Sequence, residues 1–84
     1  MTIIFFYGTE CATCHKIEPT VDKIAQEKGV EVVKKETYHN AQNQEELMRL
    51  AEGKCSQLPF IINTDNDNYL CGDVSEEEIQ AFFS

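Results

Sequence analysis

The chain has 84 residues, a formal net charge of −8 and a hydrophobic fraction of 42%. That length allows one domain, 1–84, with a thin core, and 26% charged residues without a biased tract argue against a disordered chain. The acidic balance excludes nucleic acid and anionic membrane as partners, because both are bound through clusters of Lys and Arg.

Ile3–Tyr7 is a continuous apolar run ended by Gly8, the pattern of a central strand buried on both faces. It is too short for a signal-peptide core or a membrane span and has no basic region before it, so a cytoplasmic chain is expected. In a reducing compartment, four cysteines are not expected to form a disulfide framework, and Cys-x-x-Cys reads as catalytic or metal-binding.

Residues 11–28 carry Ile17, Val21, Ile24 and Ala25 at helical spacing, with Gly29 as a C-terminal cap. Cys11 and Cys14 therefore sit at a helix N-terminus, whose unpaired N–H groups and partial positive charge stabilise a thiolate. Pro19 falls inside this helix and predicts a kink, since an interior proline costs roughly 3 kcal/mol. Residues 30–37 read as a second strand, and residues 43–52 as a second helix with Leu47, Leu50 and Ala51 inward, ended near Gly53. This order implies a right-handed crossover and parallel pairing.

Residues 59–63 read as a third strand, followed by the turn cluster Asp65-Asn66-Asp67-Asn68 and a short strand Tyr69–Cys71, an expected antiparallel hairpin. Ser75 with Glu78 three positions on forms a capping box for a last helix that turns Ile79, Phe82 and Phe83 inward.

In this order the chain resembles the thioredoxin/glutaredoxin superfamily over nearly its whole length. Phe6-Tyr7-Gly8-Thr9-Glu10-Cys11-Ala12-Thr13-Cys14 resembles the glutaredoxin segment leading into the redox pair, and Pro19 stands where thioredoxins carry a helix-kinking proline. Leu58-Pro59-Phe60 resembles the family's cis-proline platform, and Cys71-Gly72-Asp73 its Gly-Gly-x-Asp turn. The chain departs from thioredoxins at Glu10 and Phe5, where they have Trp and a buried Asp, and from glutaredoxins in lacking a basic residue beside the redox pair.

The resemblance implies an α/β, thioredoxin-like fold, βαβαββα, with a four-stranded mixed sheet and three helices. It implies a dithiol–disulfide oxidoreductase without a cofactor, acting on a disulfide in a protein or small molecule, with a reductase or glutathione as electron donor. Substrate is expected along Tyr7, Leu58, Pro59, Gly72 and Asp73, and the protein is expected to be monomeric. From its place at the helix start, Cys11 is the expected nucleophile and Cys14 the resolving thiol. His15, four residues after Cys11, could lower the Cys11 pKa when protonated; Glu10 would raise it by like charge; Glu18 could accept a proton. Cys55 is expected to be a buried, inert thiol and Cys71 a more exposed one. The competing readings are a zinc site of Cys11, Cys14, Cys55 and Cys71, covalent haem at Cys-x-x-Cys-His, and a binding module whose disulfide is only a switch.

Overall fold

Five residues in a row with aromatic or β-branched side chains make Ile3–Tyr7 the first strand, β1, and the computed structural model, which describes residues 2–84, buries four of the five. Of the domain read as 1–84, Met1 lies outside the described residues. The elements that follow are α1 (Ala12–Lys28), β2 (Val32–Glu36), α2 (Ala41–Ala51), β3 (Phe60–Asn63), β4 (Tyr69–Cys71) and α3 (Glu76–Phe82). They form one four-stranded sheet in the order β2-β1-β3-β4, with β1 parallel to β2 and the other pairs antiparallel.

Because strand side chains alternate, β1 divides its apolar residues between two cores. Ile3 and Phe5 pack with Ile61 against Ile17, Val21 and Ile24 of α1 and Ile79 of α3. Ile4 and Phe6 pack with Phe60 and Ile62 against Ala51, Leu47 and Leu50 of α2. Helices α1 and α3 thus cover one face and α2 the other. Each fully buried aromatic or aliphatic side chain of this kind contributes about 1.5–3 kcal/mol relative to exposure.

Several boundaries differ from the sequence reading for local reasons. β2 starts at Val32, because Gly29 takes a φ of 68° and the Val30 N–H closes onto the Ala25 carbonyl, holding Val30 to the helix end. α2 starts two residues earlier than read, because the Asn40 side chain accepts the Asn43 N–H and caps the helix. α1 is continuous from Ala12 to Lys28 with Pro19 inside it. The capping box of Ser75 and Glu78 forms as read.

The register determines what meets at the end of the sheet. Tyr7 pairs with Glu36, Phe6 with Phe60, and Phe60 with Cys71. One rim therefore gathers the carboxyl ends of β1, β2 and β4 and the residue entering β3, which is Pro59. The Asp65 to Asn68 turn lies at the opposite end.

Candidate active site

The chain leaves β1 at this rim and turns at once, with the Cys11 N–H donating to the Gly8 carbonyl at 3.0 Å. Cys11 is the N-cap of α1, with extended backbone, and the Cys14 N–H points at its Sγ at 3.2 Å. Cys11 and Cys14 are joined as a disulfide. Cys14 is 1% exposed and Cys11 half-buried, so the outer sulfur is the accessible one.

Charge and hydrogen bonds position the segment before Cys11. The Glu36 carboxylate accepts backbone N–H groups from Thr9 and Tyr38 at 3.0 Å and from His39 at 2.7 Å. Desolvation pushes its pKa up, but those N–H groups together outweigh it and hold Glu36 below the usual carboxylate value. The Glu10 carboxylate pairs with His39 Nε2 at 2.8 Å. That hydrogen bond first, and the Glu10 charge after it, raise the His39 pKa. Glu10, Glu36 and His39 form the one group of three possible metal ligands found among the described residues. Both Glu36 oxygens are already engaged by backbone N–H groups, so the group organises the loop.

The other expected modulators have different partners from those read. The His15 ring reaches the Thr9 carbonyl at 2.6 Å, where its Nε2–H donates, fastening the start of α1 to the turn before it. Glu18 is paired with Lys34 at 2.8 Å. Tyr7 packs its ring with Phe5 at 5.9 Å, and its carbonyl accepts from both the N–H and the hydroxyl of Thr37.

On the far side of the rim, the Leu58-Pro59 peptide is cis, as the resemblance implied. The Gly72 N–H donates to the Pro59 carbonyl at 2.9 Å, which brings the platform and the following turn together. Gly72 has a φ of 76°. Asp73 is paired with Lys16 of α1 at 3.1 Å, so the turn is fastened to the helix that carries the cysteines. Cys55, Ser56, Gln57 and Leu58 line an open groove of about 820 Å³ together with Tyr38, Leu47, Met48 and Arg49.

The four cysteines form two separate pairs. Cys55 is not the buried free thiol expected: it is half-buried and bonded to Cys71, with Cα atoms 5.7 Å apart. The sequence reading missed this because the two lie sixteen residues apart and only the pairing of Phe60 with Cys71 brings them together. It also missed Glu36, His39 and Tyr38, whose parts in the site depend on the parallel register of β2.

No protein-family model matches the chain, and no curated protein matches it by sequence. Solved structures do. Thioredoxin 1 from the thermophilic eubacterium Thermosipho africanus TCF52B superposes with a TM-score of 0.76 at 16% identity, over 98% of this chain and 89% of that one. A point mutant of the thioredoxin-like protein BC3987 gives 0.66 at 14% identity, over 95% and 91%. The glutaredoxin-like protein NrdH-redoxin from Escherichia coli gives 0.65 at 18% identity, over 96% and 93%. The fold is thioredoxin-like, with a Cys-x-x-Cys pair at disulfide distance.

Proposed function

We propose that this protein is a dithiol–disulfide oxidoreductase with Cys11 as nucleophile and Cys14 as resolving thiol. The observation that carries the reading is Cys11 at the N-cap of α1. Its sulfur receives the Cys14 N–H and bonds the buried Cys14 sulfur. In the dithiol form, that N–H and the helix dipole favour the Cys11 thiolate over the thiol.

The thiolate attacks one sulfur of a substrate disulfide, forming a mixed disulfide and releasing the other substrate sulfur as a thiolate that takes a proton. Cys14 then loses its proton and attacks the Cys11 sulfur, releasing the second substrate thiolate. The net transfer is two electrons and two protons to the substrate, and Cys11–Cys14 becomes oxidised. The backbone at Leu58-Pro59, with Tyr7, Gly72 and Asp73 around it, holds the extended substrate segment. The groove beside it, with its apolar Leu47, Met48 and Leu58 walls, suits a disulfide in a polypeptide.

A reductase dithiol is the favoured electron donor, because Glu10 beside Cys11 and the net charge of −8 work against an anionic tripeptide thiol. Such recycling fits a reducing cytoplasm. No helix among the described residues is long and apolar enough to cross a membrane.

Reduction of insulin disulfides, with thioredoxin reductase and then glutathione as donor, tests the reading. Turnover is expected with the reductase and falls to background in Cys11→Ser, while Cys14→Ser accumulates the mixed disulfide, visible as added mass. A protein that turns over with neither donor, or a Cys11→Ser variant as active as the parent, overturns the proposal.

A further inference from the structure

Cys55 and Cys71 lie on the sheet face opposite the first pair. Cys71 is directly across from Phe60 in an antiparallel ladder and so shares its face, and Cys55 packs against the same cluster under α2. The Cys11–Cys14 pair belongs to α1, on the other face. Both sulfurs of the second pair come from half-buried residues, whereas Cys14 is buried. Cys55 lines the groove, in the stretch between α2 and β3 that has no regular structure.

The surroundings supply a partner for each oxidation state. Cys55 Sγ lies 3.0 Å from the Gln57 carbonyl oxygen. A disulfide sulfur has no hydrogen to donate there, but a thiol does, so reduction replaces the bond to Cys71 with an S–H bond inside the segment itself. Elsewhere the segment is held lightly: the Lys54 and Cys55 N–H groups reach back to the Ala51 carbonyl, and the Gln57 side chain lies over Gly72. Past it, the Pro59 carbonyl has its own bond from the Gly72 N–H, which does not involve either sulfur.

We propose that Cys55 and Cys71 form a second exchangeable thiol–disulfide site, which takes a low-molecular-weight thiol or its disulfide as co-reactant and, when oxidised, clamps residues 52–57 to β4. In reduction, an external thiolate attacks one of the two sulfurs and displaces the other as a thiolate. A second external thiolate attacks the mixed disulfide and leaves as the small-molecule disulfide. Two electrons pass to the protein and both cysteines take up a proton; oxidation is the reverse. The proposal is independent of turnover at Cys11 and Cys14.

The test uses the full chain as Cys11→Ser/Cys14→Ser, in which only the second pair remains, equilibrated in a series of reduced-to-oxidised glutathione ratios. Thiols are trapped by alkylation and counted by mass. Differential alkylation and peptide mapping of the parent chain give the same readout should the variant fail to fold. Cys55 and Cys71 are expected to titrate together and reversibly, and amide hydrogen exchange at residues 53–57 to rise about tenfold on reduction, while Phe5 and Ile61 keep their protection. A pair that stays oxidised in native protein under millimolar reduced glutathione is a fixed staple and overturns the proposal. So does a pair that stays reduced in oxidised glutathione, or exchange at 53–57 that ignores the redox state.

Discussion

On one side of the rim, residues 8–10 are held to the β2–α2 connection by the Glu36 carboxylate and the Glu10–His39 pair, and to α1 by the His15 ring, all noncovalent. On the other side, residues 55–59 are held to β4 by a covalent bond and by the N–H of Gly72. Both sides carry a glycine on which the neighbouring loop rests. A Cβ at Gly8 would clash with the Tyr38 ring, and one at Gly72 would meet the Gln57 side chain at 2.8 Å. Equal closeness is thus reached by attachments with different sensitivities. The first side answers to protons and salt, the second to the electron supply.

Removing the covalent bond should have the largest effect. Closing a loop of this length is worth about 3 kcal/mol, chiefly by restricting the unfolded chain, so Cys55→Ala/Cys71→Ala should lose about that much in urea unfolding under oxidising conditions. The parent should converge on the variant once reductant opens the bond. Equal stabilities without reductant would show that both sides are held noncovalently.

Next in size is the glycine on the same side. Gly72→Ala places a side chain at a φ of 76°, which costs about 1–2 kcal/mol before Gln57 moves away. Gly8→Ala carries no such backbone penalty. It needs only the exposed Tyr38 ring to swing aside, so its loss should be about 1 kcal/mol and should come with a changed Tyr38 fluorescence or ring shift. A larger loss at Gly8 than at Gly72 would reverse the ranking of the two sides.

The acid limb is a smaller effect. The folded pKa of Glu36 is depressed, so its stabilisation is complete above the ordinary carboxylate range and disappears as pH falls through the lowered value. Glu36→Gln should flatten the acid side of the stability profile, measured by urea unfolding across pH. The smallest effect concerns His39, whose pKa is raised, so the pair with Glu10 is fully formed below the ordinary histidine value and lost as pH rises through the folded value. In Glu10→Gln the His39 ring, followed by NMR, should titrate at lower pH than in the parent, and added salt should shrink the difference because the pair is exposed. A titration unchanged by the substitution would remove this pair from the first side.

Periodicity and turn chemistry make most of the fold legible in the sequence. Ile3 to Tyr7, the Ile17-Val21-Ile24 stripe, the Asp65 to Asn68 turn and the Ser75–Glu78 box are local patterns, and local patterns survive tertiary packing. Cys11 and Cys14 were readable for the same reason, being neighbours on one turn. Cys55–Cys71 was not, because the two are separated by 16 in sequence and the chain between them first has to form a hairpin in the right register. His15 was misdirected by spacing alone: four residues from Cys11 place it on that side of the helix, but the turn at Thr9 offers its ring a carbonyl at 2.6 Å. Glu36 and His39 had no sequence signal at all, because their significance comes from the parallel strand beside them.

The hairpin turn at the far end of the sheet is closed by its own side chains. Asn63, buried, accepts the Asp65 N–H at 2.9 Å, and Asn66 accepts the Asn68 N–H at 2.9 Å. The length of the β3–β4 hairpin separates its tip from both disulfides. A fluorophore or an affinity handle attached at the exposed Asn68, whose side chain is not one of the two that close the turn, would therefore report on, or immobilise, the molecule without touching either disulfide, giving this small protein a natural point of attachment for a sensor surface.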